Sequence, residues 1–150
     1  MKKWIATLLL ISTLAASSVC FAAAENIVIN DENVTIPAEM GTVREYDDRT
    51  FVPVRFVTEY LGCTVNYSET DISATITDTK GISYLITSGQ PELYVLPNLG
   101  DGKLIKMDVL PFVDDNEGRM YIPVRFLAEA MNYTVDWDEA TQTVILNAAA

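Results

Sequence analysis

No histidine occurs among the 150 residues. Without imidazole there is no Ser-His-Asp or Cys-His nucleophile set, no histidine general base, and no ligand set of the kind copper oxidases use. Cysteine is nearly as scarce, with Cys20 and Cys63 the two present. Cys20 falls in an apolar leader, which leaves Cys63 alone. An intramolecular disulfide is therefore excluded, and stability must come from a packed core. Positive charge is also sparse, 10 Lys and Arg against 21 Asp and Glu, for a net charge of −11. A chain this acidic is repelled by nucleic acid and by anionic lipid. It is repelled by bare teichoic acid as well, unless a divalent cation bridges the two. No glycine-rich phosphate loop is present, and no apolar run reaches the roughly 20 residues that span a bilayer. Paired carboxylates exist only as part of the general acidity.

What is present begins with Met-Lys-Lys-Trp and the apolar stretch Ile5 to Ala16, followed by small residues ending in Phe21-Ala22-Ala23-Ala24. This is the pattern of a secretory signal peptide, 1–24, cleaved after Ala22 or Ala24. Lipidation at Cys20 is the rival reading, but Ser17-Ser18-Val19 before it is a poor match to the acylation site. Cleavage after Ala24 leaves 126 residues, one domain, 25–150, large enough to bury a core without staples. Loss of Lys2 and Lys3 takes the net charge from −11 to −13. The expected location is extracellular or cell-wall associated, with no membrane contact once the leader is gone.

The remainder is organised by a repeat. The stretch Arg119–Leu146 restates Arg49–Ile76 at an offset of 70 residues, with nine of 28 positions identical. Pro53/Pro123, Arg55/Arg125, Phe56/Phe126, Glu59/Glu129 and Val65/Val135 are among them. Each copy opens with an extended segment whose proline either lies on a sheet edge or starts a helix at its first position. The spacing of Phe56, Val57, Tyr60 and Leu61, and of Phe126, Leu127, Ala130 and Met131, predicts a short helix with that stripe buried. Gly62 and Asn132 stand where each helix ends, and both residue types tolerate a left-handed cap. Period-two alternation then predicts hairpins from Thr64 to Thr77 and from Thr134 to Leu146. A further hairpin is expected at Ile27 to Ile36. Strands are expected at Ile82–Thr87, Leu93–Leu96 and Leu104–Val109. The fold class is α+β, with antiparallel sheets packed on two short helices. Two homologous strand–helix–hairpin halves, about 26–80 and 81–147, are expected to share one core because neither helix covers its sheet alone.

The motif Arg-x-Phe/Tyr-Val/Ile-Pro-Val-Arg-Phe, then Glu, then Leu-Gly or Met-Asn, then Val-x-Tyr/Trp, resembles the copper amine oxidase-like N-terminal domain family over residues 26 to 147. That family occurs in secreted and surface proteins of Gram-positive bacteria, usually as two such half-repeats. Asn132 replaces the usual Gly and Tyr67 the usual Trp. In the amine oxidases the similar domain is a stalk remote from the catalytic centre, so the resemblance implies an accessory module with no cofactor. The quinone-forming tyrosine of those enzymes lies in an Asn-Tyr-Asp/Glu-Tyr context, which Asn66-Tyr67-Ser68 and Asn132-Tyr133-Thr134 do not reproduce.

No residues are assigned to catalysis, cofactor or metal. The candidate binding residues are Arg55, Glu59, Arg125, Glu129 and Trp137. The arginines suit a carboxylate ligand, while their i, i+4 spacing to Glu59 and Glu129 predicts ordinary helix ion pairs. Tyr67, Trp137, Phe51 and Tyr121 offer an aromatic shelf for glycan, although in alternating strands such residues are expected in the core. The acidic loops Asp114–Glu117 and Asp136–Glu139 lack the ligand spacing of a calcium loop and read as solvated turns. Cys63 is expected to be buried. The reading is a non-catalytic secreted module with a binding or scaffolding role at the cell envelope, its partner a cell-wall component or another secreted or surface protein. The alternative is a soluble partner that regulates or inhibits an extracellular enzyme.

Overall fold

The computed structural model describes residues 26–149; the leader, with Cys20, lies outside them. The chain runs β1 (Asn26–Ile29), β2 (Glu32–Val34), β3 (Arg44–Tyr46), β4 (Arg49–Pro53), α1 (Val54–Tyr60), β5 (Thr64–Ser68) and β6 (Ser73–Thr77). It continues β7 (Ser83–Thr87), β8 (Glu92–Leu96), β9 (Lys103–Lys106), β10 (Phe112–Asp114), β11 (Arg119–Pro123), α2 (Val124–Ala130), β12 (Tyr133–Asp138) and β13 (Thr143–Ala148). The expected hairpins and intervening strands are all found, and the architecture is α+β with largely antiparallel sheets. No helix among the described residues is long and apolar enough to cross a membrane.

Three sheets result, ordered β12-β13-β1-β2, β10-β11-β4-β3 and β5-β6-β7-β8-β9. The first joins the chain ends, because β1 pairs in parallel with β13, Ile27 opposite Val144 and Ile29 opposite Leu146. The second joins the two repeat copies at its middle. There β4 pairs antiparallel with β11 so that Val52 faces Ile122, Pro53 faces Tyr121 and Phe51 faces Pro123. Val52 and Ile122 are repeat equivalents, so the pairing is centred on a local two-fold axis. A segment that pairs antiparallel with its own copy is self-complementary, and whatever one strand places at its start meets the end of the other.

Alternation gives this middle sheet two different faces. Val52, Met120 and Ile122 face a core that also takes Ile27, Ile29, Val57, Ile76, Ile86, Leu93, Leu127 and Leu146. On the opposite face Phe51 and Tyr121 are fully buried, and with Phe112 and Tyr46 they form a second, aromatic cluster. The ring centroids of Phe112 and Tyr121 stack at 5.3 Å, and those of Tyr46 and Phe112 meet edge-on at 5.2 Å. Tyr46 and Phe112 lie on the two outer strands, β3 and β10, so the sheet curls until its edges face each other. Arg44 on β3 locks the curl, bonding Asp114 at 2.5 Å and Glu117 at 2.6 Å while its guanidinium lies 4.6 Å over the Tyr121 ring.

Left-handed positions repeat with the sequence. Gly62 (φ 76°) and Asn132 (φ 65°) end the helices, and Ile72 (φ 48°) and Gln142 (φ 50°) close the hairpin turns. Three local expectations need correction. The prolines neither sit on an edge nor open the helix: each ends an interior strand and precedes the first helical residue, at φ near −60° and ψ near 120°. That extended conformation is the one proline's ring favours. The buried helix stripe is also displaced. Val54, Val57 and Thr58 are buried along with Phe56 in α1, and Val124, Leu127 and Ala128 in α2. Tyr60 is exposed, and Leu61, Phe126, Ala130 and Met131 are only half-buried. With seven residues each, the helices end before a second apolar turn can reach the sheet. The one buried hydroxyl this leaves in α1, that of Thr58, is satisfied by donating to the Val54 carbonyl at 2.7 Å. Finally, Tyr67 and Trp137 are not core residues but stand 42% and 36% exposed.

Candidate functional site: two grooves related by the repeat

The local two-fold axis at Val52/Ile122 generates two surface grooves of the same plan. One is lined by Pro53, Arg55 and Tyr67 of the first copy and by Arg119 and Met120 of the second. The other is lined by Pro123, Arg125 and Trp137 of the second copy and by Arg49 and Thr50 of the first. Every one of these five positions has its partner 70 residues away. The strand register explains the exchange. With Pro53 opposite Tyr121 and Pro123 opposite Phe51, the start of each helix lies beside the start of the other copy's strand, so Arg55 and Arg119 line one groove and Arg125 and Arg49 the other. Neither groove can be made by one copy.

The first groove encloses about 460 Å³. Its Arg55 guanidinium lies 5.7 Å from the Tyr67 ring centroid, a cation–π distance. Burial pushes the Tyr67 hydroxyl above the usual phenol range, against the opposing pull of Arg55 and of a backbone hydrogen bond with Met120. The residue is 42% exposed, with the Arg55 guanidinium over its ring. Arg119 donates to the Glu117 carboxylate at 3.3 Å and to the Glu39 carbonyl, which seats the short 3-10 turn Ala38–Met40 at the groove rim. The second groove is smaller, about 250 Å³, and is crowded with acid: Glu45, Asp48 and Asp136 line it beside Arg49 and Arg125. Arg49 is drawn away by Asp108, and Arg125 donates to the Val135 carbonyl at 3.5 Å.

The candidate residues fall as follows. Arg55–Glu59 and Arg125–Glu129 stand as exposed i, i+4 pairs at 3.6 and 3.7 Å. The structure brings Arg55 to one groove and Arg125 with Trp137 to the other, while Glu59 lines neither and Glu129 lines a separate shallow hollow beside β9. The four-residue aromatic shelf does not form, since Phe51 and Tyr121 face the aromatic core between the curled strands. Arg119 and Arg49 are the groove residues that sequence reasoning passed over. The signal was present in the Arg shared by both copies four residues before the shared Pro, but its meaning depended on the strand register.

The acidic loops are occupied by their own turns. Asp114 Oδ1 accepts from the amides of Asn116 and Glu117, and Asp138 from the amide of Ala140 and the Thr141 hydroxyl. These bonds, with Arg44 on Asp114, hold both carboxyls below the usual range. Cys63 is buried, and burial foremost, with Asp78, pushes its thiol up. Among the described residues no three acidic or thiol groups converge on one point. With no imidazole and one buried thiol, the donors among the described residues do not fit copper.

Fold and grooves together define an α+β fold built on an internal repeat, with its first and last described strands paired. The match to the copper amine oxidase N-terminal domain covers residues 28–146, and the chain belongs to that family. The domain is a non-catalytic accessory part of those oxidases. No curated protein and no solved structure matches the chain.

Proposed function

We propose that this chain is a secreted, non-catalytic module that binds a component of the cell envelope, and that the two repeat-related grooves are its binding surfaces. The observation that carries this reading is the composition of the grooves. The same five positions of the repeat line both, and in each an arginine stands with an aromatic ring that the core leaves partly open. Exposed aromatic faces beside guanidinium groups are the means by which a rigid domain holds a ring-shaped or carboxylate-bearing ligand. The reading includes the two copies acting as one unit, since each groove takes side chains from both.

Purified cell walls stripped of protein should retain the purified protein, with or without calcium. Tyr67→Ala and Trp137→Ala together should release it while the fold, followed by circular dichroism, is unchanged. A second reading rests on a different surface. Tyr94, Leu96 and Leu104 are exposed on neighbouring strands β8 and β9, directly opposed in the case of Tyr94 and Leu104. A regulator of an extracellular enzyme would use such an apolar row. Failure to sediment with walls, together with capture of one secreted protein that Leu104→Asp abolishes, would replace the first reading by the second.

A further inference from the structure

The two grooves share a plan but not a charge. The first is lined by two guanidinium groups and one carboxylate, Glu39, with Glu59 and Glu117 paired to its arginines from the rim; the second by two guanidinium groups and three carboxylates, with Asp108 and Glu129 paired to its arginines. In a chain of net charge −11, the first groove is therefore the less acidic of the two. Its arginines also keep unused donors. Each guanidinium carries five N–H groups; Arg55 directs Nε at Glu59 from 3.6 Å, beyond good hydrogen-bond range, and Arg119 has one contact from each terminal nitrogen. Arg55 and Glu59 are both about half exposed, so an incoming carboxylate displaces a weak pair. The remaining walls are apolar: Met40, Pro53, Met120 and the face of Tyr67.

We infer, on the footing of the binding role proposed above, that the Arg55–Tyr67–Arg119 groove is a site for an acidic saccharide, a sugar ring carrying a carboxylate, and that its repeat-related counterpart is not. The carboxylate takes the unused N–H donors of the two guanidinium groups, and the C–H face of the sugar ring lies against the exposed side of Tyr67. The volume, about 460 Å³, is that of a small-ligand site, and the second groove is smaller at about 250 Å³. A saccharide fits better than an extended acidic peptide. The lining comes piecemeal from the ends of β4 and β11, from α1, β5 and the 3-10 turn, so no strand contributes more than two residues to it, too few to template main-chain pairing. The net charge of the protein sets the length. Charges of a polyanion beyond the groove meet an acidic surface within a Debye length of about 10 Å at 0.1 M salt, so a short oligomer or a chain end is preferred to a long polymer.

The test is an NMR titration of the purified protein with a glucuronate-containing disaccharide, with the neutral chitin disaccharide, and with an acidic dipeptide. The acidic disaccharide should shift the Arg55 and Arg119 side-chain Nε resonances and the amides of Tyr67 and Met120, leaving the Trp137 indole unmoved. Arg55→Gln, at an exposed position, should weaken it about tenfold or more, the loss of a charge-assisted contact, and Lys106→Gln, which removes an exposed cation on β9 outside both grooves, should leave it unchanged. Equal response to the neutral sugar, indifference to Arg55→Gln, or preference for the dipeptide would each overturn the assignment. Retention on cell walls that survives Arg55→Gln would overturn the acidic-saccharide site while leaving the module's binding role standing. Loss of wall retention in the protein as a whole would remove that role itself.

Discussion

Ile72 occupies a turn at φ 48°, a conformation that clashes with a β-branched side chain, and its side chain is 54% exposed. Nothing in the core rewards the strain, so Ile72→Asn should stabilise the protein by about 1 kcal/mol, read as a higher urea midpoint at constant slope. Gly62 makes the opposite case. An added Cβ would meet only the Thr79 methyl at 3.6 Å, an ordinary contact, so Gly62→Ala tests the left-handed cap alone and should cost about 1 kcal/mol. Gly41→Ala should lose more. There φ is 103° and the new methyl would lie 2.6 Å from the Tyr121 hydroxyl, which is held by Glu117. Equal losses at the two glycines would remove the steric part of that argument. The Gly62/Asn132 cap was legible in the sequence because backbone chirality acts locally. The constraint on Gly41 was not, because the tyrosine it meets is 80 positions along the chain.

The curled middle sheet depends on the charged clasp between its outer strands. Arg44 sits between Asp114 and Glu117, and Glu117 also accepts from the Tyr121 hydroxyl at 2.8 Å. The Arg44 hydrogen bond holds Asp114 below its ordinary pKa, and the Tyr121 hydrogen bond, with Arg44 and Arg119, does the same for Glu117. A carboxyl depressed by folding adds stability that is complete above its unfolded pKa and disappears as pH falls through the folded value. The clasp should therefore contribute fully above about pH 5 and fade below about pH 4, where unfolded carboxyls take up protons. Arg44→Met should lower the urea midpoint at pH 7 and flatten its fall on acidification; an acid limb of unchanged slope would show that the clasp does not hold the sheet. Sequence reading found the strands, since alternation marks them, and expected Phe51 and Tyr121 in a core, as they are, but did not separate their core from that of Val52 and Ile122. Alternation gives two faces without saying what covers each. Only the curl, which brings Phe112 and Tyr46 over them, makes the second face a core.

At the scale of the whole molecule, the pairing of β1 with β13 closes the chain on itself and the pairing of β4 with β11 binds the copies together. A protein beginning at Ile36 should then be far less stable than one beginning at Asn26, because Val144 and Leu146 lose the strand that carries Ile27 and Ile29. The loss should exceed the roughly 3 kcal/mol of a single large core truncation, and a protein that unfolds at nearly the same urea concentration would show the parallel pairing to be dispensable. The sequence alone determined what is short-range or compositional: no imidazole chemistry, a lone thiol after the leader, two copies of one motif, their strands, a short helix in each and left-handed caps. These follow from side-chain inventory, hydrophobic period and local backbone sterics, each acting within a few residues. Tertiary structure alone decided that Tyr67 and Trp137 face solvent, that Arg55 and Arg119 line one groove across the copies, and that equivalent grooves differ in charge. Those outcomes depend on one strand register, Val52 on Ile122, which no local preference specifies and which the burial of both strand faces selects.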